Sequence, residues 1–123
     1  IVPVHIFGSP CDMKSIMDIA SKHNLKVMED CAQSFGSSID GKMTGSISNA
    51  GSISFYPTKN LGAYGDAGMV VTNDDETAEL CRKYREHGSS VRYHHDLIGY
   101  NSRLDDIQAA ILSVKIEYID KYL

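Results

Sequence analysis

Three polar side chains lie within or just after apolar segments of this sequence, at positions where they have room to react. Asp30 follows Val27-Met28, and Lys59 lies in a glycine-bounded loop after the segment 52–56. A carboxylate can hold a cationic ring nitrogen, and a lysine amine that loses its proton attacks carbonyl carbons. Ser54, inside the segment, is suited to bond to the backbone or to donate to a phosphate. The residue types therefore suit carbonyl and amine chemistry.

Each of these side chains, taken alone, also suits a purely structural role. Asp30 can cap the next turn, and Lys59 can be a solvated loop lysine. His94, His95 and Asp96, together with His5, are residue types that bind metals, but adjacent residues seldom converge on one ion. The sequence contains neither G-x-G-x-x-G nor the phosphate-binding G-x-x-x-x-G-K-[ST]. We therefore expect no metal site and no common nucleotide motif.

Composition narrows the class of protein further. The chain has 123 residues, of which 42% are hydrophobic and 23% charged, which is typical of one globular domain. A net charge of −4 does not favour nucleic acid as a partner. The three cysteines form no C-x-x-C pair, and no apolar run approaches the ~20 residues that cross a bilayer. We expect a cytoplasmic protein with reduced thiols and no membrane partner.

Alternating periodicities indicate an α/β fold. An apolar strand over 1–6 is followed by a helix capped by Asp12, and a second strand over 25–28 completes a parallel β-α-β unit. Asp40-Gly41 predicts a tight type I′ hairpin turn.

The second half of the chain continues the alternation of strands and helices. Strands are predicted over 52–56 and 68–72, followed by a helix opened by an Asn73/Glu76 capping box that ends before Gly88. After an irregular stretch over 89–102, apolar residues at helical spacing predict a long helix running to the C-terminus, namely Ile107, Ile111, Val114, Tyr118 and Tyr122. Because residue 1 is Ile and the last residue falls inside this helical pattern, we expect a segment of a longer protein.

Three ordered segments carry a specific resemblance. They are Glu29-Asp30-Cys31-Ala32-Gln33, the run from Ser52 to Gly62 that includes Ser54 and Lys59, and Gly99-Tyr100-Asn101-Ser102-Arg103-Leu104. In this order they closely resemble the DegT/DnrJ/EryC1/StrS sugar aminotransferases. The resemblance spans essentially all of the chain. It implies a partial large domain of the fold type I transferases that use pyridoxal 5′-phosphate (PLP), with a mostly parallel central sheet flanked by helices.

The resemblance also implies a role for each matching residue. Lys59 would hold PLP covalently and act as general acid and base, and Asp30 would pair with the cofactor's ring nitrogen. Gln33 would bond to its phenolic oxygen, and Ser54 to its phosphate. Asn101 would reach the phosphate of the neighbouring subunit's cofactor, which implies a homodimer with shared sites.

The implied reaction moves an amino group, with glutamate as the donor, to a keto sugar carried on a nucleotide. Relatives with histidine at the lysine position dehydrate or deoxygenate their substrates, so Lys59 favours transamination. By the same resemblance, residues 1–123 are the central part of the large domain, and the N-terminal segment and C-terminal small domain lie outside them. The alternative hypothesis is a noncatalytic structural fragment of such an enzyme, inactive in isolation.

Overall fold

A computed structural model describes all 123 residues of the chain as short strands and three α-helices. In chain order the elements are α1 (Met13–Lys22), β1 (Met28–Asp30), β2 (Ser38–Ile39), β3 (Lys42–Met43), β4 (Ala50–Ser54), β5 (Gly68–Val71), α2 (Asp75–Arg85), β6 (Ser89–Val91), β7 (His94–His95) and α3 (Asp106–Ile116). Short 3₁₀ turns occupy Ile6–Gly8 and Ile119–Lys121. None of the helices is both long and apolar enough to cross a lipid bilayer.

The central sheet has the strand order β1-β4-β5. β1 and β4 are parallel, with Asp30 opposite Ser52, and β4 and β5 are antiparallel, with Ser54 opposite Gly68. Residues 1–5 run parallel to β1 on its other side, where the Asp30 N–H donates to the Pro3 carbonyl at 2.9 Å. The predicted parallel arrangement therefore holds for this side of the sheet, and β5 is the antiparallel exception.

Helix α1 forms where the sequence predicts it. The carboxylate of Asp12 accepts hydrogen bonds from the Ser15 N–H at 3.1 Å and the Ser15 hydroxyl at 2.7 Å, which satisfies a donor at the helix start and lowers the pKa of Asp12. The helix ends at Lys22, after which Asn24 has a φ of 50°. Its buried residues Met13 and Ala20 pack with Val27 as a small apolar cluster.

The predicted hairpin is also present. Strands β2 and β3 pair antiparallel around Asp40 and Gly41, whose φ angles are 52° and 76°. Two successive positive φ angles are the signature of a type I′ turn, which matches the twist of the flanking strands.

The strand boundaries differ from the sequence predictions. The strand predicted over 25–28 is wrong except at Met28, since the Leu25 N–H bonds back to the Ala20 carbonyl and β1 extends instead to Asp30. The strand predicted over 52–56 begins at Ala50 and ends at Ser54. The first segment stops at His5, because a 3₁₀ turn with φ 53° at Phe7 follows it.

The N-cap of helix α2 lies one residue later than predicted. The side chain of Asp74, and not that of Asn73, accepts the Thr77 N–H at 2.9 Å, and the Thr77 hydroxyl also bonds to it. The predicted Asn73/Glu76 capping box is therefore wrong. The stretch predicted as irregular contains the small antiparallel pair β6–β7.

Helix α3 is shorter than predicted. It ends at Ile116 and is followed by a separate 3₁₀ turn at Ile119–Lys121. Its predicted apolar stripe is largely exposed, with Ile107 at 74% and Val114 at 61%, whereas Leu112 is buried. Leu112 packs with Phe55 and the neighbouring Leu61 and Ala63, so the helix presents a different face to the core.

Candidate functional site

An open cleft of about 1420 Å³ lies between strands β4 and β5, helix α2 and the segment 100–104. Lys59, Ser54 and Asn101 all line it, although they are far apart in the sequence. Ser52, Asp66 and Arg103 add further polar groups to its wall. Three of the five residues that sequence analysis assigns to the site are thus on one surface.

Lys59 lies just after the end of β4, in the loop that joins β4 to β5. Its backbone N–H donates to the Tyr56 carbonyl at 2.8 Å, which begins a tight turn. The side chain is half-buried, and its amine makes no hydrogen bond or salt bridge within the chain. An amine that is partly shielded from water and has no carboxylate partner is available to react with a carbonyl group.

Asp30 and Gln33 lie at the neighbouring strand end and do not line the cleft itself. Asp30 is in register with Ser52, and one of its carboxylate oxygens accepts the Ala32 N–H at 3.0 Å. The side-chain oxygen of Gln33 accepts the Phe7 N–H at 2.8 Å. These bonds fix both side chains while leaving the second Asp30 oxygen and the Gln33 amide NH₂ without a partner.

Ser54 and Asn101 are held in the same partial way. The Ser54 hydroxyl oxygen accepts the Tyr56 N–H at 3.3 Å, so its own hydrogen remains free to donate. The side-chain oxygen of Asn101 accepts from the Arg103 guanidinium at 3.0 Å, and Asn101 forms an antiparallel bridge with Glu86. Asn101 lies in the cleft of its own chain, and its predicted reach to a neighbouring subunit stays a prediction.

The residues weighed as metal ligands are dispersed. His5 is bonded to Glu29, Asp96 lies 3.6 Å from the Lys83 amine, and His95 contacts the His87 carbonyl at 3.0 Å. The strand β7 that carries both adjacent histidines is exposed. This geometry does not bring the four side chains together.

A buried carboxylate, Glu29, has more hydrogen bonds than any predicted site residue. Its Oε1 accepts the N–H groups of Ile47 at 3.0 Å and Ser48 at 2.9 Å and the Ser48 hydroxyl at 3.0 Å. Its Oε2 accepts the Gly45 N–H at 2.8 Å and bonds to His5 Nε2 at 3.1 Å. Burial alone would raise the pKa of Glu29, but these donors together lower it, so the carboxylate is charged.

His5, Glu29 and Cys31 form a compact buried cluster, with their ligand-type atoms within 4.8 Å of one another. The backbone N–H groups aimed at Glu29 oppose a cation there, and both His5 nitrogens already have partners. Burial, together with the nearby negative charge of Glu29, raises the pKa of the Cys31 thiol. We interpret the cluster as a structural site in which these donors stabilise the buried Glu29 carboxylate.

Comparison with known proteins decides the family. The sequence profile of the DegT/DnrJ/EryC1/StrS aminotransferase family matches residues 1–123. The chain belongs to this family. The chain is 55% identical over 122 residues to a pleiotropic regulatory protein of Geobacillus stearothermophilus. The match covers 99% of this chain and 33% of that protein.

Two further relatives have a name or a title that refers to chemistry. One is UDP-N-acetyl-3-dehydro-alpha-D-glucosamine 3-aminotransferase of Acidithiobacillus ferrooxidans, 52% identical over 99% of this chain and 33% of that protein. The other is the solved structure of S. venezuelae DesV in complex with a ketimine intermediate, with a TM-score of 0.94 and 44% identity over 98% of this chain and 32% of that one. The chain therefore spans about a third of the length of these relatives, and its fold is that of the aminotransferase large domain.

The residues present fit the PLP that DegT/DnrJ/EryC1/StrS aminotransferases use. Lys59, with its unpartnered amine, and Ser54, with its free hydroxyl hydrogen, line one cleft. On the adjoining strand end Asp30 offers one unused carboxylate oxygen. An amine, an anion and a phosphate donor are the three kinds of group that this cofactor needs.

Sequence reasoning about this family member missed the cluster around Glu29. The strand predicted over 25–28 leaves Glu29 outside, whereas Glu29 lies inside β1, and residue type alone indicates His5 only as a metal ligand. The signal in the sequence is an acid directly after the apolar pair Val27-Met28, because a carboxylate that is buried at the end of such a run needs several donors.

Proposed function

We propose that this chain is the central part of the PLP-binding large domain of a nucleotide-sugar aminotransferase. The enzyme moves an amino group, with glutamate as the donor, to a keto sugar linked to a nucleotide. The N-terminal segment and the C-terminal small domain belong to the rest of that protein. A cytoplasmic location, expected from the unpaired cysteines, is part of the same proposal.

One observation carries the proposal. Lys59, with its unpartnered amine, and Ser54 line the same cleft, while Asp30 lies across the β1–β4 pair from Ser52, two residues before Ser54. The three groups approach one edge of the sheet from two adjacent strands, which is where α/β folds bind their ligands. In the proposed site Asp30 and Lys59, which are 29 positions apart in the sequence, act on the same cofactor.

Each residue has a distinct task in the proposed reaction. Bound PLP supplies an electron sink that stabilises negative charge at the substrate carbon. Lys59 anchors the cofactor through its amine and then carries a proton to and from the reacting carbon. Asp30, with one oxygen fixed by the Ala32 N–H, uses its other oxygen to keep a proton on the ring nitrogen. The Gln33 NH₂ donates to the phenolic oxygen, and Ser54 donates to the phosphate.

Exposed apolar side chains support the proposal that further protein covers this segment. Phe7 is 90% exposed, Tyr93 79% and Ile98 94%. Large apolar side chains exposed to this extent are typical of surfaces that further protein covers. Asn101, whose side-chain NH₂ is free, is proposed to reach a second subunit's cofactor, which makes the active form a homodimer.

A reduction experiment tests the proposal. PLP is added to the purified protein, the visible spectrum is recorded, and borohydride is used to trap any lysine-bound cofactor for peptide mapping. We expect a reducible band and a label on Lys59, loss of both in Lys59→Ala, and retention of both in Lys42→Ala, whose lysine is exposed on β3. A band that survives in Lys59→Ala would contradict the site.

An activity assay, together with the same reduction experiment on the isolated chain, separates the enzyme from the noncatalytic alternative. In the complete protein, a bound cofactor that accepts an amino group from glutamate and delivers it to a nucleotide keto sugar establishes the reaction. A complete protein that forms the reducible band, beside an isolated 123-residue chain that forms none, would favour the alternative of a noncatalytic fragment that is inactive in isolation. The isolated 123-residue chain then shows whether this segment alone assembles the site.

A further inference from the structure

Helix α3 contacts the loop that carries Lys59 through two polar side chains. We propose that Gln108 and Lys115 are positioning residues that hold this loop, and with it the Lys59 amine, in place for the cofactor. The inference rests on the proposed function. It adds two residues that support the reaction but do not touch the cofactor. Both lie on α3, seven residues or about two turns apart, so they are on the same face of the helix as Leu112.

Gln108 binds the loop backbone directly. Its side-chain oxygen accepts the Tyr64 N–H at 2.8 Å, a contact between residues 44 positions apart in the sequence. The side chain is partly buried, and its nitrogen lies 3.2 Å from where a Cβ on Gly65 would be. A glycine at position 65 therefore lets the loop approach Gln108 closely.

Lys115 binds the same loop at a second point. Its ammonium donates to the Gly62 carbonyl and lies 5.5 Å from the centre of the Tyr64 ring. No carboxylate forms a salt bridge with it, so this cation is directed entirely at the loop. A partly buried ammonium bonded to a carbonyl and a ring face is a stronger contact than an exposed surface pair.

The two contacts are transmitted to Lys59 by close packing. A Cβ on Gly62 would lie 2.5 Å from the Pro57 carbonyl oxygen, so Gly62 is packed against the turn just before Lys59. The Ala63 N–H donates to the Phe55 carbonyl at 2.8 Å, which ties the same stretch to the end of β4. Leu112 packs on Leu61 and Ala63 between the two polar contacts.

A lysine that must meet a cofactor at a fixed distance gains from this arrangement. Effective concentration falls steeply when a reacting group moves by about 1 Å or samples many positions. The loop has glycines at 62 and 65, which by themselves leave its backbone conformationally free. The side chains of α3 remove that freedom.

The experiment uses the complete protein with Gln108→Met and Lys115→Met, alone and combined. Gln108→Glu and Lys115→Arg keep the acceptor and the donor and should restore wild-type behaviour. Lys121→Met is the matched control, since it removes a cation that lies 5.1 Å over a different ring, that of Tyr118. Two readouts are measured: amide hydrogen exchange of residues 57–64 without cofactor, and the rate at which added PLP forms the reducible Lys59 band.

We expect exchange of the Tyr64 amide to accelerate about five- to tenfold in Gln108→Met, because one hydrogen bond is lost. We expect band formation to slow about tenfold in the double variant, because the amine is less well positioned. Unchanged exchange and unchanged band formation in the double variant would overturn the inference. If the wild-type protein forms no band at all, the proposed function fails, while the exchange data still decide whether α3 holds the loop.

Discussion

His5 Nε2 lies 3.1 Å from Oε2 of Glu29, and solvent reaches neither side chain. The Nδ1 of the same ring accepts the Cys11 N–H at 3.1 Å. Since Nδ1 is an acceptor, the ring proton must be on Nε2, where it is donated to Glu29. The pair therefore joins the first segment of the chain, β1 and the turn at 45–48 through one carboxylate.

Replacing Glu29 tests how far the fold depends on this carboxylate. A glutamine has one oxygen in place of two, so one group of donors loses its acceptor inside the protein. We expect Glu29→Gln to lower the free energy of unfolding of the complete protein by about 3 kcal/mol, measured by urea denaturation. Glu79→Gln, an exposed change on α2, is the control and should have little effect. Equal stability of the two variants would contradict the role given to Glu29.

The same carboxylate predicts a pH dependence with a definite sign. The pKa of Glu29 in the folded chain is below its ordinary value of 4.5. Its ionised form therefore stabilises the fold above pH 4.5, and that stabilisation is lost as the pH falls through the lower folded pKa. The stability difference between wild type and Glu29→Gln should be constant near neutral pH and shrink in acid. A difference that grows in acid would have the wrong sign.

The ring proton of His5 can be located directly. We expect nitrogen NMR of ¹⁵N-histidine protein to show a protonated Nε2 and an unprotonated Nδ1 for His5 at neutral pH. The exposed His94, whose ring makes no hydrogen bond within the chain, serves as an internal reference, since solvent-exposed rings exchange between tautomers. A proton found on Nδ1 of His5 would contradict the Cys11 hydrogen bond.

Gly62 tests the packing beneath Lys59. An alanine Cβ there would be 2.5 Å from the Pro57 carbonyl oxygen, so the backbone must shift. We expect Gly62→Ala to lower the free energy of unfolding by about 1–3 kcal/mol and to weaken the reducible Lys59 band. Gly41→Ala is the control, since its Cβ meets nothing within 4 Å although its φ of 76° is unfavourable. Gly41→Ala should lose some stability and keep the band.

The start of α2 offers a paired test of capping. Asp74 accepts the Thr77 N–H and hydroxyl, which lowers its pKa, whereas Asn73 has no such bond. We expect Asp74→Ala to lower Tm by a few degrees and Asn73→Ala to leave it nearly unchanged, both measured by thermal denaturation. The reverse order would restore Asn73 as the cap.

Local chemistry in the sequence was enough to predict several elements. Asp12 marks the start of α1, and Asp40-Gly41 marks the hairpin turn, because each acts on residues only a few positions away. Lys59, Ser54 and Asn101 could be placed in one site because their segments match a family pattern. These predictions needed no knowledge of distant contacts.

Two of the errors, in β1 and α3, have a common physical cause in long-range contacts. β1 is displaced toward Glu29 and Asp30 because donors at 45–48 make a buried acid favourable there. The apolar stripe of α3 suggested a helix reaching Tyr122, but the buried face is set by Leu112 packing on Leu61 and Ala63, more than 40 positions earlier in the chain. No local pattern contains that information.

The antiparallel pairing of β4 with β5 has an evolutionary consequence. Ser54 and Gly68 are opposite each other, so the loop that carries Lys59 leaves the sheet and returns to nearly the same point. A loop whose two ends lie close together can lengthen, shorten or change its tip without shifting the strands, because closing a longer loop costs little extra free energy. Related proteins can therefore remodel the surroundings of the reactive amine while inheriting an unchanged sheet.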